Sequence, residues 1–421
     1  MKRIRTLVTL AIIVCLSIGT FYIYAAAEVK GYPKFYIKKE AGDDKEIRSL
    51  TLSATLSMGQ FSEPVMISAA GSKYERELTF TEQLNSSFLA NDGLQVYRDK
   101  YRHFMRGKLM PDSFYEDSES LVFAGVDYKR TNRGLRDFSF TIAQLHKKNK
   151  DESSFQIKVP GEANDDFISV NDVQKHGGEL DVFTTNSVSD HQAGASKTEL
   201  HCYRFDLAKK KLLSDQILLS ARDAENNTEN RIYNLSSTTK MAPEKYYVFV
   251  KDSRPVSSPD ENGKVSKSSV KRELYAYNMK TNAVQSFAFP KELSMVDTMI
   301  NYYHGPLIYF VTPDANAKAV KVLIYNMETK KAAGQYTIPI EEIGEDTKPD
   351  IFIKDNRMYL LIVNHDQTGR VDIQTNYIMV CDLQNGKILY KGKVIPKPGK
   401  GNSLPKGTTL HVENMNVGNS L

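Results

Sequence analysis

The chain has 421 residues, 41% of them hydrophobic, 25% charged and 10% aromatic, with no tryptophan. That is a globular composition, and repeat domains run to this length with one large core. The formal charge is +5, of which three come from Lys2, Arg3 and Arg5, leaving +2 for the remainder and no electrostatic case for nucleic-acid binding.

From Thr6 to Ala27 the sequence is apolar and uncharged, with the basic trio before it and Glu28 and Lys30 after it. About 20 apolar residues span a bilayer's hydrocarbon, and basic residues hold the N-terminus in the cytoplasm. Ala25-Ala26-Ala27 offers small residues to a signal peptidase. The length of the stretch and the aromatic group Phe21, Tyr22 and Tyr24 favour a retained anchor instead. Residues 1–27 therefore read as a signal-anchor or signal peptide. The rest is expected outside the cytoplasm, membrane-anchored, or secreted if the segment is cleaved. Cys15 is not read as a lipidation site, because Ile13 and Val14 stand where small residues are needed. Residues 28–45 read as a polar spacer.

Residues 46–100 contain Leu50 to Leu56, Pro64 to Ile67 and Leu78 to Phe80, two or three strands lacking a partner first strand, followed by a connection. Within that connection, Leu94, Tyr97, Tyr101 and Phe104 also fit one face of a helix. Residues 101–395 hold five copies of one unit. Its third strand is apolar and aromatic and ends in an acid or amide plus Leu or Met, as in Leu200 to Leu207, Leu274 to Met279, Leu323 to Met327 and Ile378 to Leu383, with a weaker copy at Phe138 to Leu145. A short polar turn follows each, with residues suited to tight reversal, and then a returning strand: Phe155 to Val159, Leu212 to Leu219, Val284 to Phe289, Gly334 to Ile338 and Ile388 to Val394. Upstream lies a second strand (Leu121 to Ala124, Leu180 to Thr184, Tyr246 to Val250, Leu307 to Val311, Met358 to Val363). Before four of these lies a first strand (Phe167 to Val170, Ile232 to Leu235, Met299 to Tyr303, Ile351 to Lys354). The period is about 40–50 residues plus insertions.

Leu307 to Val311 and Tyr359 to Val363 are apolar at both parities, so these middle strands need cover on both faces. Stacked blades supply that cover. The expected fold is all-β, a β-propeller of six blades, preceded by one N-terminal transmembrane or signal helix. Five blades are internal. The sixth joins the N-terminal strands to a closing strand in 409–421, after a Pro/Gly/Lys-rich linker at 396–408. A seventh blade follows if 85–118 holds further strands. The Tyr-Asn/Asp-Met/Leu signature and the strand period resemble the divergent β-propeller superfamily, with quinoprotein-like or WD-like blades, over most of 46–416. The Trp-Asp signature of true WD repeats is absent, and the resemblance implies a fold without a defined activity.

No zinc-protease, paired-cysteine, nucleophile-elbow or phosphate-loop motif is present. Gly194-Ala195-Ser196-Lys197-Thr198 lacks the glycine and Gly-Lys pair of a phosphate loop. Ser268-Ser269-Val270-Lys271 leads into a strand where the acyl-enzyme pattern needs a helix. Asn226-Asn227-Thr228 fits a glycosylation sequon. Cys202 and Cys381 fall in distant units, which argues against their pairing and for two small buried hydrophobes. Neither cofactor nor metal is implied.

Two surfaces stand out. Asp127, Asp190, Asp252, Asp314 and Asp366 each open the loop after a second strand, with His191 and His365 beside two of them. They read as a carboxylate ring for a cationic ligand, or as aspartates that start turns by bonding their own backbone. On the opposite face the hairpin turns carry Lys147, Lys148, Lys150, Lys209, Lys210, Lys211, Lys280, Lys330, Lys331 and Lys387. These serve solubility and block edge pairing, or form a rim toward anionic lipid or wall polymer. With a repeat core, a tether and no catalytic set, the chain reads as a non-enzymatic extracytoplasmic binding or scaffold protein, with a protein or cell-envelope polymer as partner. The rivals are an enzyme processing envelope polysaccharide or peptide with loop carboxylates, and an accessory sensor for a membrane signalling protein.

Overall fold

A computed structural model describes residues 8–10, 12, 13, 16, 17, 19, 20, 32–59, 61–78, 94–132, 134–161, 166–190, 195–222, 228–237, 241–255, 270–288, 290, 300–314, 318–341, 349–365, 371–398 and 407–418. The chain is all-β, with six sheets of four or five strands among the described residues. It divides into two compact units. One comprises Met1–Val96, Pro313–Lys321 and Tyr336–Leu421, and the other Tyr97–Thr312 and Val322–Gln335.

In chain order, β1 is Phe35–Gly42, β2 Leu50–Met58, β3 Phe61–Ser68 and β4 Gly71–Tyr74. Two short helices, α1 (Gln95–Lys100) and α2 (Arg102–Met105), precede the next sheet, and Leu94, Tyr97, Tyr101 and Phe104 are all buried. That sheet is a meander of β5 (Phe114–Glu116), β6 (Ser120–Thr131), β7 (Gly134–His146) and β8 (Glu152–Lys158). The following meander is β9 (Phe167–His176), β10 (Glu179–Asp190), β11 (Ala195–Asp206) and β12 (Lys211–Arg222). The next sheet holds β13 (Thr228–Asn234), β15 (Tyr246–Pro255), β16 (Lys271–Asn278) and β17 (Ala283–Phe287), while β14 (Ser236–Ser237) runs parallel to β18. A five-stranded sheet combines β14 with β18 (Ile300–His304), β19 (Leu307–Asp314), β20 (Ala319–Asn326) and β21 (Lys331–Pro339). β22 (Asp350–Lys354), β23 (Arg357–His365), β24 (Val371–Asp382) and β25 (Ile388–Pro396) form the last repeat, and β1 adds to β25 as its fifth strand. Finally β26 (Thr408–Val417) pairs antiparallel with β2, Leu50 opposite Val417 and Met58 opposite Thr408.

Burial follows strand position. Tyr246 to Val250 of β15 and Met358 to Ile362 of β23 are buried at both parities, whereas β8 has no buried residue and β21 buries only Ile338. These middle strands are thus covered on both faces, as a continuous apolar run requires, and the fourth strands β8 and β21 lie at the wet edge of their sheets. In the first unit one core joins Leu50, Leu52 and Leu56 of β2 with Tyr390 and Val394 of β25 and Leu410 of β26. In the second unit Phe140 meets Tyr203 and Phe205 at ring separations of 4.7 and 5.2 Å, and Phe183 stacks on Tyr247 at 4.1 Å.

The acid-or-amide plus Leu-or-Met signature has a local cause. Asn278, Asn326 and Asp382 each accept hydrogen bonds from the backbone N–H groups two and three residues on, and Asp206 accepts from Lys209. These are the side-chain bonds that let Asn and Asp start turns. The following Leu or Met donates its own N–H to the neighbouring hairpin: Leu207 to Gly178, Met279 to Lys245, Met327 to Pro306 and Leu383 to Asn356. Each turn then passes through one left-handed residue, Lys210, Asn282, Lys330 or Gly386. Five residues of sequence therefore cap one turn and tie it to the next.

Three expectations change. Residues 28–45 are not a spacer throughout, since Phe35–Gly42 form β1 and Asp44–Ile47 a 3-10 turn capped by Asp43. The third N-terminal strand is Gly71–Tyr74 rather than a run from Leu78, which follows a 3-10 turn at Glu75–Glu77. Two second strands also run past aspartates expected to open loops, β6 past Asp127 and β15 past Asp252, whereas β10 and β19 end at Asp190 and Asp314. At the N-terminus the described residues between Val8 and Thr20 are helical and exposed, with the Ser17 and Thr20 hydroxyls donating to Ile13 and Leu16 carbonyls at 2.8 Å. The rest of the expected anchor, including Cys15, lies outside the described residues, and among those described no helix is long and apolar enough to cross a membrane. Cys202 and Cys381 are free and buried.

Candidate functional site

The second unit contains a cavity of about 240 Å³ where first strands of successive sheets supply the lining. β5 contributes Phe114, β9 contributes Asn171, Asp172 and Gln174, β13 and β14 contribute Asn234 and Ser237, and β18 contributes Tyr303. Asp112 comes from the 3-10 turn Pro111–Ser113, Glu244 from the segment entering β15, and Tyr247 from β15 itself.

Gln174 organises the acids. Its amide N–H groups donate to both Asp172 oxygens at 3.3 and 3.2 Å and to the Ala242 carbonyl at 3.4 Å, while its carbonyl accepts from the Glu244 N–H at 3.0 Å. Glu244 is buried. Its carboxylate accepts from the Ser237 hydroxyl and from the Gly305 N–H, with the His304 imidazole 3.6 Å away. Asp172 accepts the Val173 N–H at 2.9 Å and keeps partial solvent contact. Burial pushes the Asp172 carboxyl up to about 7, and the negative charges of Asp112 and Glu244 add to the rise against the hydrogen bonds from Gln174 and Val173. Burial also raises the phenols of Tyr247 and Tyr303 well above their ordinary value, with Asp172 as the first charged neighbour of each.

A second cavity in this unit, about 370 Å³, adjoins β10, β11 and β12. There His201 bonds Asp215 at 2.7 Å through Nδ1, faces Glu199 at 3.5 Å through Nε2 and stacks parallel to Tyr203. Burial lowers the imidazole's proton affinity, but Asp215 and Glu199 outweigh it and the net shift is upward.

The aspartates singled out in the sequence are placed elsewhere and separately. Asp127 lies within β6, exposed, and accepts from the Thr141 hydroxyl and from Gln156 at 3.5 Å. Asp252 lies within β15, directly opposite Arg272 of β16. The two side chains are buried together at 3.3 Å, with Arg254 3.9 Å away. Asp314 ends β19 and pairs with Lys321 at 2.7 Å. Each is held by a partner of its own sheet. Asp190 closes β10 opposite Ala195, and His365 closes β23 opposite Val371. His191 and Asp366 lie outside the described residues. Among the turn lysines, Lys147 is half-buried and bonded to Glu116 and the Asp117 carbonyl. Lys148, Lys209, Lys210, Lys211, Lys330 and Lys331 are exposed, Lys209 pairing with Asp206 at 3.3 Å.

Asp112, Asp172 and Glu244 were not singled out by sequence. The available signal was polar Asn171, Asp172 and Gln174 threaded through the apolar run of β9, which a strand facing only a core would not carry.

No family model matches the chain, and no curated protein matches it. Among solved structures it is similar to a Synechocystis apocarotenoid oxygenase at 8% identity and a TM-score of 0.34, over 66% of this chain and 60% of that one. It is similar to the polysaccharide lyase Uly1 at 10% identity and a TM-score of 0.34, over 67% and 57%. A prolyl endopeptidase aligns at 10% identity and a TM-score of 0.31, over 92% of this chain and 54% of its own. This chain thus spans little more than half of each, and likeness at this level brings no activity or substrate with it.

Proposed function

We propose that the six sheets are the blades of a six-bladed β-propeller that acts as a binding protein, held outside the cytoplasm by its N-terminal segment, and that the cavity of the second unit is its ligand site. The carrying observation is the cavity itself. Its described lining holds three carboxyl groups, three amides and two phenols around about 240 Å³, drawn from strands of several sheets. Convergent polar groups in an enclosed space are what a small-ligand site requires. The arrangement favours binding over catalysis. Gln174 clamps Asp172, and Glu244 is buried with its carboxylate already accepting from Ser237 and Gly305, so the two acids are not disposed as a free acid–base pair.

Asn234 lines the cavity from an exposed position, so Asn234→Trp fills the space without touching the core. Ligand-observed NMR of the full chain against amines, sugars and carboxylates is expected to find at least one class whose signal disappears in Asn234→Trp. If every class behaves identically with both proteins, the cavity is not the site. For the tether, alkaline extraction of host membranes is expected to leave the full chain in the pellet and to release a chain lacking residues 1–27. Release of both would remove the anchor from the proposal.

A further inference from the structure

We propose that loop 107–110 of the second unit is a docking tip for an anionic lipid bilayer, with Leu109 and Met110 entering the headgroup boundary and Arg102 and Arg106 of the preceding turn meeting the lipid phosphates. The proposal does not use the cavity. Leu109 and Met110 are 64% and 66% exposed. Beyond the N-terminal segment they are the only large apolar side chains among the described residues that are both exposed and adjacent in sequence. Single exposed apolar residues are ordinary, whereas an adjacent pair this open marks a contact surface.

The tip is held in place from both ends. In the short helix α2, Phe104 and Met105 are buried, while Arg102, His103 and the C-cap Arg106 are exposed. Gly107 then turns the chain at a φ of 75°, with open space where a Cβ would stand. The Lys108 N–H donates to the Met105 carbonyl at 3.1 Å. Its ammonium donates to the Phe104 carbonyl and lies over the rings of Phe104 and Phe123 at 4.6 and 5.3 Å. Past the tip, Pro111 favours the extended backbone seen at Met110, whose carbonyl accepts the Ser113 N–H at 3.1 Å. Leu109 and Met110 are thus presented outward by a bonded loop.

Charge identifies the partner. Residues 98–110 carry Arg98, Lys100, Arg102, Arg106 and Lys108 against one acid, Asp99. Lys108 serves the fold, and Arg98 and Asp99 have interactions of their own. Arg102 and Arg106 are exposed and enter no salt bridge among the described residues. Of the acids nearby, Glu152 of β8 is taken by His103 at 2.9 Å, and Asp112 lies beyond Pro111 and lines the cavity. An apolar tip beside uncompensated cations suits a surface that is apolar within and anionic outside, which a bilayer with acidic headgroups is. A protein partner needs about 800 Å² on each side, far more than two side chains on one turn present.

The chain has no tryptophan, so Met110→Trp places a single reporter at the tip. The full chain with this substitution is mixed with phosphatidylcholine vesicles, with and without phosphatidylglycerol. The emission reads the tip itself, whatever the N-terminal segment does. Expected with phosphatidylglycerol are a blue shift and quenching by brominated acyl chains, both lost at high salt. Near an anionic surface each arginine strengthens binding about fivefold, so Arg102→Gln with Arg106→Gln should lower the equilibrium constant for insertion about 25-fold. Thermal melts check that these exposed substitutions keep the fold, and Leu109→Trp repeats the reading if Met110→Trp does not fold. An unshifted, unquenched reporter in chains that sediment with the anionic vesicles would overturn the proposal, as would no sedimentation with them at all. An equal response on phosphatidylcholine alone, or one unchanged by the paired arginine substitutions, would overturn the anionic assignment. A blue shift that grows with protein concentration in the absence of lipid would assign the tip to a second copy of the chain and overturn the lipid reading.

Discussion

Two aspartates of the second unit, Asp117 and Asp172, show how far surroundings can separate identical side chains. Burial pushes Asp117 upward, but the Lys175 ammonium at 2.9 Å and the N–H groups of Ser120 and Glu119 outweigh it and hold the carboxyl at about 2. Asp172 has amide donors and carboxylate neighbours instead, so burial wins and the value reaches about 7. The consequence for stability has a definite sign. Between about pH 4 and pH 7 the unfolded chain has released the proton that the folded chain keeps, so this residue's contribution to stability falls as pH rises through that window and is level above it. Asp172→Asn removes the effect. Relative to wild type, the variant should gain stability from pH 4 to pH 8, by up to about 4 kcal/mol if the whole shift is realised. Urea unfolding at both pH values measures this, and an equal difference at the two would show that Asp172 ionises in the fold as it does in the free chain.

Among the elements, the capped hairpin turn repeats most faithfully. Its left-handed position is filled by Lys210, Asn282, Lys330 and Gly386, with φ of 52, 55, 56 and 73°. A lysine pays the left-handed penalty of about 1–2 kcal/mol at an exposed turn where nothing else crowds it. Gly386 differs, because a Cβ there would lie 2.5 Å from a Tyr336 ring carbon and 3.2 Å from Ile338. Gly386→Ala should therefore lose roughly 2–4 kcal/mol by strain and crowding together. Lys330→Gly should stay close to neutral, since relief of strain offsets the added freedom of the unfolded chain. Thermal melts of the two variants side by side provide the comparison. An Ala variant as stable as wild type would mean that the turn shifts freely and that Tyr336 does not constrain it.

On the scale of the whole molecule, the first unit is assembled from both ends of the chain. β26 pairs with β2 along its length, and Leu410, Val412, Met415 and Val417 are buried. At about 1.5–3 kcal/mol for each such side chain, their burial is comparable with the total stability of a domain, about 5–15 kcal/mol. Ending the chain at residue 407 would expose Leu50, Leu52, Ala54 and Leu56 along an open edge, a template for aggregation. Loss of cooperative melting and a shift to high-mass species in size-exclusion chromatography are expected. A monomer with an unchanged melt would show that β26 is dispensable.

The sequence by itself determined what depends on near neighbours. Apolar runs at both parities marked β19 and β23 as doubly covered strands. The Asn278-Met279 and Asn326-Met327 pairs marked turns, because an amide that bonds the next two N–H groups needs only its own backbone. Strands of strong alternation such as β2 were legible for the same reason. Tertiary structure decided the rest. β1 could not be read from Phe35 to Gly42, since its lysines and glutamate resemble a spacer until β25 offers an edge to pair with. Asp127 and Asp252 looked like loop openers because aspartate usually starts turns, and only cross-strand partners such as Arg272 allow them inside strands. The acidic cavity was invisible for the deepest reason. Asp112, Asp172 and Glu244 are far apart in sequence, and burial, the force that sets Asp172 apart from an ordinary surface acid, exists only once the first strands of several sheets have come together.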